Sequence, residues 1–303
     1  MLTYTQQRNL FRDLAGLSSN DTTQLTLADQ LINSFTKQIF NAKSWWFLQR
    51  TKTDTTVASQ NNYKLPVFYK KMINTKIRSG TTDYFPKEAP SRDYFDALTA
   101  SNSAESTGPE WYYIYNGEVL YYPTPSTASL TITHRYEVQF KDLARADYTT
   151  GTIVSIANAA TTVTGSGTTW TSAMAGRFIR ITETDAAASG DHEWYEISSV
   201  TSNTILELVK KYNGTTLAAA SATYAIGQIS PFPDGYHELP VYKALQAYFA
   251  TYKPDSTKYT LYKDLGNELM KQLVADQSNR TIGMVVDDGD DYEMLNPNLT
   301  ISL

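Results

Sequence analysis

The chain of 303 residues contains no cysteine. That excludes disulfides, thiolate metal sites and thiol nucleophiles, and leaves the compartment open. No stretch approaches the roughly 20 consecutive apolar residues of a membrane-spanning helix, so no membrane partner is expected. Net positive charge is also lacking: 26 Lys and Arg face 31 Asp and Glu, a formal charge of -5. General coating of nucleic acid needs a cationic field that such a chain lacks. The short clusters Lys70-Lys71 to Arg78 and Lys210-Lys211 read as exposed strand or loop faces. The first residues, MLTYTQQRNLFRDL, lack a charged segment followed by an apolar one, so no cleaved leader is expected. The Asn-x-Thr triplets at Asn20, Asn213, Asn279 and Asn298 then read as turn residues.

Reactive groups are scarce. The three histidines, His134, His192 and His237, fall in three separate segments. DHEWYE at 191–196 pairs His with Glu but lacks the second histidine that a helix-borne zinc site needs at i+4, and it reads as a strand. His134 falls on the apolar face of its strand, which suits a core or interface histidine better than a catalyst. GSG at 165–167 is followed by no Gly-Lys-Ser/Thr and sits in no Gly-x-Ser-x-Gly frame, so it reads as a turn. The acidic run DDGDDYE at 287–293 lacks the alternating ligand spacing of a calcium loop. No internal repeat is visible. No cofactor, metal or catalytic set is expected.

What the chain has in surplus is aromatic: 22 Tyr, 11 Phe and 5 Trp. Large amphipathic rings are enriched where proteins bury surface against one another, so self-association is expected. WYYIYNGEVLYYPTP at 111–125 concentrates them. Asn116-Gly117 supplies the two positive-φ positions of a type I′ turn. Trp111, Tyr113 and Tyr115 share one face of the first strand, Tyr112 and Ile114 the other. A strand apolar on both faces must be covered on both, by its own helices, by an inserted domain or by another copy.

Thr3 and Gln6 have capping-box spacing, and Leu10, Phe11, Leu14 and Gly16 mark a short first helix. A second helix is expected from near Thr26, striped by Ala28, Leu31, Ile32, Phe35, Ile39, Ala42 and Trp46; its end, Trp45-Trp46-Phe47-Leu48, delivers a block of aromatic surface to the next part of the chain. Residues 51–78 read as two or three short strands and 81–109 as a long surface excursion. Leu130, Ile132, His134 and Tyr136 alternate as one more half-buried strand. From Gly151 to Ile229 the composition turns to Thr, Ala, Ser and Gly with short β runs, a small all-β unit. Helical periodicity resumes from Pro240 to the break at Pro254, with a partner helix from about Ser256. Gly266 inside it suggests close approach of another backbone. From Asp276 the stripe is lost and an extended tail is expected.

The fold expected is therefore α+β, with helices from both chain ends packed on a central antiparallel sheet and an inserted all-β barrel or sandwich. Its parts are a discontinuous core (1–150 and 230–276), the insertion (151–229) and a tail (277–303). Candidate partner or neighbour-subunit contacts are the tail residues Asp287, Asp288, Asp290, Asp291, Met294, Leu295, Leu299, Ile301 and Leu303, while Trp45, Trp46, Trp111, Tyr113, Tyr115 and Tyr121 are a candidate aromatic cluster of the subunit interface or of the core. Extended segments with spaced apolar anchors order on binding.

The hairpin with its Pro123-Thr124-Pro125 close, the strand ending in Tyr136, the helix start in DGYHELPVYKALQAYFATYK and the tryptophan-rich SWWFLQR together resemble tailed-bacteriophage head-to-tail adaptor (connector) proteins. Residues 151–229, with TGSGTTW and WYEISSV, resemble a β module of phage virion proteins. The resemblance implies a non-enzymatic virion protein at the head-tail junction, assembled in the host cytoplasm. It would form a homo-oligomeric ring of twelve copies on the portal protein, receive the tail or nozzle protein, and pass double-stranded DNA without sequence-specific binding. The candidates from Asp287 to Leu303 would then bind the portal or a neighbouring subunit. A rival reading is a receptor- or carbohydrate-binding fibre protein in which Trp170, Trp194 and Tyr195 of the β unit stack on sugars. A third, a hydrolase, rests only on unplaced carboxylates such as Glu193 and Glu196.

Overall fold

A computed structural model describes residues 1–66, 68–101, 104–182, 190–219 and 221–282. Helix α1 (Tyr4–Ala15) is closed by its sequence signals: the Thr3 hydroxyl accepts from the Gln6 amide, the Gln6 side chain accepts from the Thr3 amide, and Gly16 ends it at φ 66°. Helix α2 (Thr22–Ala42) starts four residues before the expected Thr26, because Asp21 caps it by accepting from the Gln24 amide at 3.1 Å. Thr26 instead returns its hydroxyl to the Thr22 carbonyl, as threonines inside helices do.

Next come β1 (Gln49–Thr55), β2 (Asn62–Lys64), β3 (Tyr69–Ser79), β4 (Thr82–Tyr84) and β5 (Lys87–Glu88). Helix α3 (Arg92–Ser101) comes after them, then β6 (Glu105–Ser106), β7 (Trp111–Tyr115), β8 (Glu118–Tyr122), β9 (Thr124–Pro125) and β10 (Thr131–Val138). The central sheet is in fact two. One has the order β1-β10-β3-β4, the other β2-β8-β7-β5, and β6 and β9 form a small pair beside them. The two larger sheets share a core of Tyr63, Met72, Ile77, Tyr112, Val119, Tyr121, Ile132 and Tyr136. The expected loop at 81–109 thus contains three short strands and a ten-residue helix.

The next unit holds β11 (Thr152–Ser155), β12 (Thr162–Ser166), β13 (Phe178–Ile181), β14 (Trp194–Ser202), β15 (Ile205–Leu208) and β16 (Tyr224–Gly227). Their order is β11-β12-β15-β14-β13-β16, every pairing antiparallel. Bridges from Ile153 to Ala222 and from Ile156 to Leu217 bring the approach to β16 back against β11, so the sheet curls on itself. Its core of buried residues runs from Ile153 to Ile226, with Tyr148 of the entering chain packed against it. GSG at 165–167 finishes β12 rather than forming a free turn, and Gly165 leaves room for the Trp170 ring, 2.8 Å from where a Cβ would stand.

Helices α4 (Leu239–Thr251) and α5 (Ser256–Ile282) complete the fold. Phe11, Ala15, Ala28 and Ile32 of the first two helices pack with Val241, Ala244, Leu245, Tyr248, Phe249 and Tyr262 of the last two. Each large side chain buried there is worth roughly 1.5–3 kcal/mol, so the chain ends are joined firmly although more than 200 residues separate them. The WWFL block is core: Trp45, Phe47 and Leu48 pack with Phe40, Phe232, Leu239 and Leu273. Helix α5 runs to Ile282, six residues into the segment expected to be extended. Leu273 is fully buried, Tyr236 donates to Asp276, and Gln277 accepts from the Trp46 amide at 3.1 Å, so side-chain anchors replace the missing stripe. At Gly266 the close neighbour is the Lys243 stem, 3.3 Å from where a Cβ would stand, and not a backbone. No helix among the described residues is long and apolar enough to cross a membrane.

Candidate functional site

The aromatic hairpin has two covers, both from its own chain. Asn116 and Gly117 take φ of 50° and 77°, and the turn sets the register Tyr115 to Glu118 and Tyr112 to Tyr121. Tyr112, Ile114, Val119 and Tyr121 therefore face the core shared with β3 and β10. The other face lies under α3. Tyr94 meets Trp111 edge-on at 5.3 Å, Phe95 stacks on Tyr113 at 5.9 Å, and the Arg92 guanidinium sits 4.4 Å above the Tyr115 ring. Arg92 is fixed in turn by Asp96 at 2.8 Å. Of the three covers open from sequence, the chain uses a helix of its own. A helix start was legible in Pro90-Ser91: the Ser91 hydroxyl accepts from the Tyr94 amide at 3.2 Å, an N-cap contact.

The six candidate aromatics do not converge. Trp45 is buried among the helices and donates its indole N–H to the Ile39 carbonyl at 2.7 Å, with Trp46 beside it. Trp111, Tyr113 and Tyr115 lie under α3, Tyr115 remaining 57% exposed. Tyr121 is fully buried, its hydroxyl 2.6 Å from the Thr75 hydroxyl. Much of the aromatic surplus thus fills separate cores, and the exposed rings, Phe68, Phe85, Tyr94, Tyr115 and Tyr252, are scattered. The nine tail candidates from Asp287 to Leu303 lie outside the described residues.

His134 sits in polar company. Its Nδ1 lies 3.2 Å from the Thr75 hydroxyl, its Nε2 3.7 Å from an Asp54 carboxylate oxygen, and its ring stacks on Tyr121. Burial pushes its pKa down to about 4 against the opposing pull of Asp54, and burial also raises Tyr121. A neutral imidazole with no exposed surface offers nothing to a substrate, so this is a core network. His237 is likewise buried and pushed down to about 4. His192 sits near Arg180 on an exposed loop. Among the described residues no three His, Cys, Asp or Glu gather as metal ligands.

The sugar-stacking trio is also dispersed. Trp170 and Tyr195 lie in the core of the curled sheet, the first donating to the Tyr224 hydroxyl at 2.9 Å, and Trp194 lies under Arg180.

Two features have no local sequence signal. One is a cleft of about 180 Å³ between the two-sheet body and the curled sheet, bounded by Arg50, Phe68, Lys141, Phe178 and Glu196. Phe68 holds φ at 61° there with Lys141 5.1 Å above its ring. The other is the junction where the chain enters and leaves the curled sheet. Tyr148 and Ile226 bridge, Gln228 accepts from the amides of Ala144 and Arg145, and Thr3 donates to Asp147 at 2.8 Å while Thr5 accepts from its amide. The cap of α1 thus ties both crossings together.

A family model described as SU10 adaptor protein matches residues 3–162, just over half of the chain. No curated protein matches.

Proposed function

We propose that this chain, which belongs to the SU10 adaptor protein family, builds the ring that joins the capsid portal of a tailed bacteriophage to its tail. The family is one of bacteriophage structural adaptors, virion components, and its model spans α1, α2, both four-stranded sheets and the aromatic hairpin. That match carries the reading. On it, copies of the chain, twelve in the ring, dock on the portal, extend the DNA channel and receive the tail or nozzle protein at the head-tail junction. No chemistry is assigned to it.

The mechanics follow from symmetry. Each copy needs only modest contacts with the portal, because a closed ring engages them all together and avidity multiplies weak sites. The segment beyond α5 supplies such a contact through Met294, Leu295, Leu299, Ile301 and Leu303, set in a polar, acidic context. The curled sheet of residues 152–227 acts as an appended module on the ring. A chain with net charge of -5 also suits a conduit through which DNA must slide without adhering.

The test is the mass of the purified protein alone and with the cognate portal. The expected result is a ring that forms on the portal and is lost when residues 287–303 are removed. Full portal binding by that truncation removes the role given to the tail. A micrograph of the virion locating the chain away from the junction removes the whole reading.

A further inference from the structure

Charge is unevenly spread along this chain. Five acids fall within residues 287–293, and the other 26 equal the 26 Lys and Arg, so the net charge of -5 resides formally in that one run. The rest of the chain is neutral, which makes any cationic plane on it a matching surface.

The sheet β1-β10-β3-β4 presents one. Register sets Thr51 beside Arg135 and Thr53 beside Thr133. It also sets Thr133 beside Lys76, Thr131 beside Arg78 and Glu137 beside Lys71. Because side chains alternate, these stand opposite the buried Ile132, His134 and Tyr136. Thr51, Thr53, Lys71, Arg78, Thr131 and Arg135 are all exposed. The acids on this face are already engaged. Asp83 pairs with Lys76 at 3.0 Å and Arg78 at 2.7 Å, and Glu137, 3% exposed, is held by Ser44 and Lys70. Among the described residues Lys71 and Arg135 have no ion-pair partner. The face is a plane of hydroxyls and surplus cations, suited to carboxylates.

Helix α5 passes beside the chain just ahead of the edge strand of this face. Gln277 touches Trp46, three residues before β1, and across β1 the pairs Gln49 to Glu137 and Glu137 to Lys71 lead directly onto the face. Two strand spacings separate β1 from β3, about 10 Å. The five steps from Ile282 to Asp287 span up to about 17 Å.

We propose that residues 287–293 lie on this open sheet face of their own chain, with their carboxylates against Lys71 and Arg135. The inference deepens the tail-docking reading and rests on it. The acidic half of the segment is parked on the body, which shields the cationic plane from DNA and leaves Met294 to Leu303 free for the portal.

Zero-length carbodiimide crosslinking of the full-length protein tests the placement. The expected products join the 287–293 peptide to Lys71 or Lys76; products with other lysines alone overturn it. A second test uses the full-length chain with Asp287→Asn, Asp288→Asn, Asp290→Asn and Asp291→Asn, titrated with a short DNA duplex at low salt. Removing a tethered competitor at millimolar effective concentration is expected to raise duplex affinity about tenfold, and Lys71→Glu with Arg135→Glu to abolish the gain. Equal duplex binding by the parent chain and the Asn variant overturns the proposal. Portal binding is scored separately, so an intact ring with no such crosslinks defeats this inference and leaves the adaptor reading standing.

Discussion

Gly227 is where the architecture can be broken by one methyl group. A Cβ there would stand 2.6 Å from Thr3 Cγ2, 3.0 Å from Thr3 Cβ and 2.9 Å from an Asp147 carboxylate oxygen. Its φ is not positive, so alanine suits the backbone and the conflict is purely one of packing. Thr3 is 1% exposed and cannot swing away without releasing both the Gln6 amide it caps and Asp147. Overpacking of this kind costs about 1–3 kcal/mol, and loss of a helix cap adds about 1 kcal/mol. Gly227→Ala is therefore expected to lower stability by roughly 2–4 kcal/mol, read from urea unfolding by circular dichroism. Thr3→Ser removes Cγ2 but keeps the capping hydroxyl. In the Gly227→Ala background it should restore about 1 kcal/mol, beyond the ~0.5 kcal/mol scatter of independent sites, while the Asp147 contact keeps recovery partial. A Gly227→Ala protein as stable as its parent, or purely additive effects, would refute the view that the α1 cap clamps both crossings.

Acid should weaken the fold through its buried histidines. His134 and His237 have folded values near 4 against an ordinary 6.5, so the unfolded chain takes up protons first. The stability they lend is whole above pH 6.5 and is lost as pH falls toward 4, by at most about 3 kcal/mol each. Asp29 and Asp147, raised by burial, pull the other way. Urea midpoints at pH 7.5 and 4.5 should differ less in His134→Gln than in the parent; equal differences would sink this account. Gly266→Ala should be neutral or stabilising by up to about 1 kcal/mol, since only the flexible Lys243 stem must shift by a few tenths of an ångström. A loss of more than that amount in thermal unfolding would show a tighter neighbour.

Elements with a local signature were legible. The capping box at Thr3, the Asn116-Gly117 turn and the α4 stripe ending near Pro254 each depend on residues within a turn or two of one another, and each appears where the sequence placed it. The misjudged elements have their causes at a distance. Helix α5 continues past Asp276 because Trp46 and Tyr236 hold it from other parts of the chain. The aromatic candidates scatter because composition counts rings without saying which core they fill. Helix α3 is the exception: Ser91 marked its start, but flanking Pro, Ser and Asp outweighed a ten-residue amphipathic pattern.

Helix α3 also changes which surfaces remain for neighbours. Had the outer face of the hairpin been bare, a second copy would have been the natural cover, and Trp111 and Tyr113 would have been contact residues. With Phe95 2% exposed over that face, the rings are already spent. On the adaptor reading, contacts between copies would draw instead on apolar groups that are exposed among the described residues, such as the Tyr115 tip with Arg92 above it, Leu261 and Leu265 along α5, and Phe68 at the rim of the cleft. Weak contacts spread over a body are what a subunit needs if it is to close a ring on a platform rather than aggregate before reaching it.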